Sequence, residues 1–147
     1  MEKLELQWHG PFLLDDMDNE SFDKVGIYQV YGTHQVYGSD ALLYIGQASK
    51  QNFRKRLNQE ISSTYPWWER TGGRVSFYLG VFEEEKSKKK LEKKIAVAET
   101  LLIASHLPST NSSQIKTASV DKDYLLINWG YYHKLLPEVS TFRWFYD

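Results

Sequence analysis

Short runs of β-branched and aromatic residues alternate along this chain with segments whose apolar residues recur every four positions. "KVGIYQVY" (24–31) and "ALLYIGQ" (41–47) are runs of the first kind and predict strands. "GTHQVYGSD" between them carries the glycines and polar residues of a hairpin connection, so the two strands are expected to pair antiparallel. "NFRKRLNQEISS" (52–63) places Phe53, Leu57 and Ile61 on one helical face. "GGRVSFYLGVF" (72–82) reads as a third strand, opened by Gly72 and Gly73. The clearest helix spans residues 87 to 106, with Leu91, Ile95, Ala98 and Leu102 on one stripe and Pro108 just past its end. Beyond residue 109 the pattern weakens. "TNSSQIKTAS" reads as a loop, "YLLINW" as a short strand, and "STFRWFYD" as either a terminal strand or a partner surface.

Composition narrows the function classes. With 147 residues, 41% apolar, and 22 aromatics, the chain suits one domain with a substantial core. No apolar run is long enough to cross a bilayer, and "MEKLELQWHG" lacks the basic-then-apolar layout of a signal peptide. The expectation is a soluble, intracellular, cytoplasmic protein with no membrane partner. Without cysteine there is neither a disulfide framework nor a thiolate zinc site, and the four histidines show no ligand spacing. Any metal would be a hard cation held by oxygen.

The net charge of −1 conceals an uneven distribution. Residues 1–23 sum to −6, residues 24–120 to +6 and residues 121–147 to −1, which suggests an acidic leader before a basic body. A basic body attracts polyanions such as nucleic acid. Taken alone, the lysines of "EEEKSKKKLEKK" read more simply as a solvated helix face.

Two positions carry candidate chemistry. At about 100° per residue, Glu99 lies about 40° from Ile95 and about 60° from Leu102, inside the apolar stripe of its helix. A carboxylate there must be paired, protonated or metal-bound. Either it forms a salt bridge, or it serves as a lone ligand for Mg²⁺, which keeps most of its waters. Arg54, Lys55 and Arg56 form a basic cluster beside the Phe53, Leu57 and Ile61 face. Either Arg56 simply pairs with Glu60 one helical turn on, or one arginine grips a phosphate through its planar fork.

Gly26-Ile27-Tyr28, then Tyr44-Ile45-Gly46, then the "FRKRL" helix, then Glu99 in "ETLLIASHLPSTN", resemble the GIY-YIG nuclease family in order and kind. The resemblance covers roughly residues 24–111. It implies an α+β fold: a small three-stranded antiparallel sheet flanked by helices, with both tyrosines on one face. Residues 1–23 and 112–147 would be extra segments packed on that core. The implied activity is metal-dependent hydrolysis of DNA phosphodiesters, with RNA left open as a substrate and Mg²⁺ or Mn²⁺ as cofactor. Residue by residue, Tyr28 would help deprotonate the attacking water and Tyr44 would orient that water or a phosphate oxygen. Arg56 would bind the scissile phosphate, with Arg54 as fallback, and Glu99 would hold the metal. Asn111 matches the asparagine that closes the segment after the helix. Lys50, Arg54, Lys55, Arg56 and Asn111 would form the nucleic-acid-binding set. A tyrosine is a weak base, since about one in a thousand is ionised at pH 7 at its ordinary pKa of ~10.

Three departures stand out. The spacing from Tyr28 to Tyr44 is long, which places the excess in the hairpin around "THQVYGSD". Two extra residues lie between "YIG" and "FRKRL". One turn beyond Arg56, where many members carry His or Tyr, this chain has Glu60. Glu60 either substitutes in proton transfer, holds a second cation or pairs with Arg56 and silences the site. Tyr65, His34, His106 and His133 are the other candidates to substitute. The competing reading is therefore a catalytically silent nucleic-acid or protein binding module. Outside the motif, Trp67 and Trp68 with Arg70 and Arg74 either stack on bases or plug the core, and the C-terminal aromatics pack within the chain or form a homodimer surface.

Overall fold

The computed structural model describes residues 1–61, 75–109, 111 and 120–141. Its framework is a single mixed sheet of six strands: β1 (Glu2–Phe12), β2 (Gly26–His34), β3 (Gly38–Ala48), β4 (Ser76–Val81), β5 (Tyr124–Gly130) and β6 (Glu138–Ser140), in the order β3-β2-β4-β1-β5-β6. Two α-helices are present among the described residues, α1 (Phe53–Ile61) and α2 (Lys88–His106). The expectation of a small three-stranded antiparallel sheet flanked by helices is therefore overturned. The three expected strands do lie side by side as β3-β2-β4, but they make up only half of a larger sheet.

The correction comes from the two ends of the described chain. β1 is an interior strand, antiparallel to β4 and parallel to β5. It buries Leu4, Leu6 and Trp8 at every second position while Glu5 is exposed and Gln7 half-buried, the alternation of a strand with one covered face. Residues first read as an acidic leader thus hold the middle of the sheet together. Trp8 Nε1 donates to Asn128 Oδ1 at 2.8 Å, tying β1 to β5 inside the core. β6 closes the far edge by pairing with β5.

Period-two alternation also sorts the motif residues between two cores. On one side, Ile27, Tyr31 and Ile45 pack with Leu4, Leu6 and Trp8 under Ile95, Ala98 and Leu102 of α2. On the other, Tyr28, Val30 and Ala48 pack with Phe77 and Leu79 under Phe53 and Leu57 of α1. Ser87 caps the start of α2, its hydroxyl accepting from Lys90 N, and Leu107 ends the helix in a left-handed conformation with φ +47°. No described helix is long and apolar enough to cross a membrane. Tyr65, Trp67, Trp68, Arg70, Arg74 and the "STFRWFYD" segment beyond Thr141 lie outside the described residues.

Candidate active site

Four of the predicted residues meet on the α1 side of the sheet. Tyr28 on β2 and Tyr44 on β3 stand with ring centroids 6.0 Å apart and planes inclined by 29°. Their approach depends on Gly46, which pairs with Tyr28 across the β2–β3 ladder. A Cβ at that position would collide with the Tyr28 hydroxyl and the Tyr44 ring. The glycine of the second triplet is thus the space that the tyrosine of the first one occupies.

From above, α1 supplies a charge pair. Arg56 Nη2 lies 2.8 Å from Glu60 Oε1, with the two side chains 34% and 17% exposed. The Arg56 guanidinium is close enough to both tyrosine hydroxyls to favour their ionisation. Burial outweighs it. Desolvation first, then the neighbouring Tyr44 and the Glu60 charge, push the Tyr28 pKa well up, and desolvation with the charges of Glu60 and Glu99 does the same for Tyr44. Burial opposes the charge on Arg56, but Tyr28, Glu60 and Tyr44 more than compensate and hold its pKa above the ordinary value. Both tyrosines are therefore neutral at neutral pH, beside the Arg56–Glu60 ion pair. In this state Tyr28 is a hydrogen-bond donor, and burial works against the service as a base expected of it.

Tyr28 Oη is the one buried side-chain polar atom, among the described residues, with no partner at hydrogen-bond geometry. The Arg56 guanidinium is the polar group that faces it, short of full hydrogen-bond geometry, and a buried hydroxyl left without a partner costs about 1–3 kcal/mol.

Glu99 joins this group only at its margin. It is 7% exposed on α2, accepts from Gln47 Nε2 at 2.9 Å, and its charge acts on Tyr44. The apolar stripe thus buries the carboxylate and an amide supports it. For a metal, the donor set matters: no group of three or more His, Cys, Asp or Glu assembles among the described residues. One buried carboxylate suits a largely hydrated, oxygen-preferring cation such as Mg²⁺ or Mn²⁺ and does not suit zinc or copper, which take several nitrogen or sulfur ligands.

The remaining predicted residues separate into two groups. Lys50 and Lys55 are exposed around the start of α1 and remain available to a polyanion. Arg54 is committed elsewhere: Nε donates to Met17 O at 2.8 Å, Nη2 to Asn19 O at 3.0 Å, and Nη1 pairs with Asp23. It clasps the 3-10 turns of residues 14–23 against α1. Asn111 is 5% exposed, and its amide is consumed by one backbone unit: Oδ1 accepts from Ile45 N at 2.8 Å and Nδ2 donates to Ile45 O at 2.9 Å. It imitates a neighbouring strand on the open edge of β3 and so seats the second triplet.

The histidines proposed as substitutes in proton transfer are engaged elsewhere as well. His34 Nδ1 accepts from Val36 N and Tyr37 N at the hairpin tip, His106 Nε2 accepts from Leu136 N, and His133 pairs with Asp40. Glu60 is the residue that stands beside the tyrosines. The signal for Gln47 as the Glu99 partner was present in the sequence only as the residue following "YIG". The chain matches no protein-family model, no curated protein and no solved structure.

Proposed function

We propose that this chain is a metal-dependent endonuclease of the GIY-YIG kind that hydrolyses DNA phosphodiester bonds. The observation that carries the reading is the Tyr28 hydroxyl: buried, without a partner at full hydrogen-bond geometry, and facing the Arg56 guanidinium. A buried polar group without a full partner in the protein calls for one from outside it, an ordered water or a ligand. A phosphodiester oxygen, or the water that attacks it, is such a ligand.

The residues divide the work according to their state. Arg56 presents a planar cationic fork to the phosphate and stabilises the charge that builds on its oxygens during in-line attack. Tyr28 and Tyr44, held neutral by burial, donate hydrogen bonds that orient the nucleophilic water and a phosphate oxygen. Glu99 would hold Mg²⁺ or Mn²⁺, which would supply Lewis-acid stabilisation of the phosphoryl and leaving oxygens. Lys50 and Lys55 extend the positive surface along the approach to α1.

A second reading, a silent binding module, draws on the ion pair that already occupies Arg56. The two separate in one experiment: nicking of supercoiled plasmid and of branched DNA with Mg²⁺, Mn²⁺ or EDTA, by wild type and Glu99→Ala. Metal-dependent nicking lost in Glu99→Ala supports the nuclease. Inert wild type that still shifts DNA in a gel sinks that reading and leaves the module.

A further inference from the structure

We propose that Glu60 is a built-in surrogate for the substrate phosphate: its carboxylate holds Arg56 in the free protein, and a phosphodiester binds by displacing it. This inference rests on the phosphodiester reading above and adds to it how the site is kept closed.

The geometry is that of a pre-filled anion site. Arg56 and Glu60 sit one turn apart on α1, with Nη2 and Oε1 at 2.8 Å. Glu60 is 17% exposed, so the pair is screened less than an ordinary surface contact at the same spacing. Arg56 is the cation that acts on both tyrosine hydroxyls, and Glu60 is the anion that acts on both. With the tyrosines neutral, the two charges cancel and the free site offers little net attraction to an anion. A phosphodiester that reaches Arg56 brings a second negative charge beside Glu60, and like charges at such separations repel. The carboxylate must therefore yield the guanidinium. A carboxylate and a phosphodiester each offer two oxygens to the same planar fork, which makes the exchange chemically matched.

An alternative role for the same pair is positioning: Glu60 would hold Arg56 ready, and its removal would weaken binding. The two roles predict opposite signs, so binding decides between them. Anisotropy of a fluorescein-labelled DNA duplex is measured in EDTA, across a range of salt, for wild type, Glu60→Gln, Arg56→Ala and the double variant. Melting by circular dichroism confirms that each is folded.

The latch predicts that Glu60→Gln binds about tenfold more tightly than wild type at low salt, with a slope of log affinity against log salt steeper by about one. The double variant should fall back to Arg56→Ala, because the gain acts through the guanidinium. Glu60→Gln that binds as wild type or more weakly, while Arg56→Ala still weakens binding, overturns the latch and leaves the phosphodiester reading in place. Arg56→Ala that leaves both affinity and slope unchanged overturns the two together.

Discussion

Tyr28 and Tyr31 lie three residues apart on β2, both at most 1% exposed and both with pKa values pushed up chiefly by burial. Their hydroxyls meet opposite fates. Tyr31, on the α2 side, donates to Gln29 Oε1 and accepts from Lys134 N at 3.4 Å. Its ring lies 4.6 Å from that of His133, which stacks on Tyr78 at 4.9 Å and meets Asp40 Oδ2 through Nε2 at 2.7 Å. Lys134 Nζ completes the clasp on Asp40 O at 2.6 Å. The Tyr31 hydroxyl thus has partners on both sides, and the cluster fastens residues 132–134 to the turn end of the β2–β3 hairpin. Tyr28 faces its own charge pair without reaching full hydrogen-bond geometry. Burial and a perturbed pKa are thus common to a structural knot and a candidate site, and hydrogen-bond satisfaction separates them.

The sharpest way to break this contrast removes one oxygen from each ring. Tyr28→Phe should lower the rate of plasmid nicking by about 10²–10³-fold, the range for deleting one preorganised donor. It should leave the melting temperature unchanged or raise it, since the hydroxyl it removes lacks a partner at full hydrogen-bond geometry in the free protein. Tyr31→Phe should do the reverse, losing about 1–3 kcal/mol of stability by stranding Gln29 while nicking per folded molecule stays at the wild-type level. If Tyr28→Phe melts lower and nicks normally, Tyr28 is packing and the contrast collapses.

Asn111 probes how far the Tyr28 side depends on its frame. Asn111→Ala strips both partners from the Ile45 backbone, which is buried at the edge of β3, and should cost about 2–3 kcal/mol in urea unfolding. Because Tyr44 and Gly46 flank Ile45, nicking should fall further than the loss of folded protein explains. The Tyr31 knot, on β2, should keep its His133 ring environment by NMR. Equal disturbance of both clusters would show that the edge contact serves the sheet as a whole.

The sequence made parts of this legible and hid others for physical reasons. The two triplets and the Phe53, Leu57 and Ile61 stripe are local patterns, and they correctly locate β2, β3 and α1. β1 was equally local, with Leu4, Leu6 and Trp8 alternating against Glu5 and Gln7. The cluster of acids in residues 1–23 masks that period behind charge, and the three-stranded expectation, which came from the family resemblance, left the segment outside the sheet. Arg54 and Arg56 are indistinguishable by composition. Only the fold sends the first to Met17 and Asn19 and the second to the tyrosines. The Tyr31 knot could not be read at all, because its His133–Asp40 pair joins residues 93 positions apart. The charge on Glu99 was legible as a conflict with its stripe, but its amide partner came from another element.

The smallest expected effect distinguishes the two clusters by pH. His106 is half-buried at the end of α2, and desolvation lowers its pKa while its contact with Leu102 O opposes the shift. Nε2 accepts from Leu136 N at 2.8 Å, so protonation there would replace an acceptor with a donor facing a donor. A histidine whose pKa is lower folded than unfolded takes up its proton more readily when unfolded. Its contribution to stability is therefore fully present above the unfolded value of about 6.5 and shrinks as pH falls below it. Leu136 belongs to the same segment that carries His133 and Lys134 into the Tyr31 knot. Mild acid should consequently raise amide exchange in residues 131–136 before it reaches the Tyr28 side. His106→Gln should flatten the decline in melting temperature between neutral pH and about pH 5. A decline of unchanged slope in His106→Gln would place the acid sensitivity in some other group and remove the proposed link between the end of α2 and the knot.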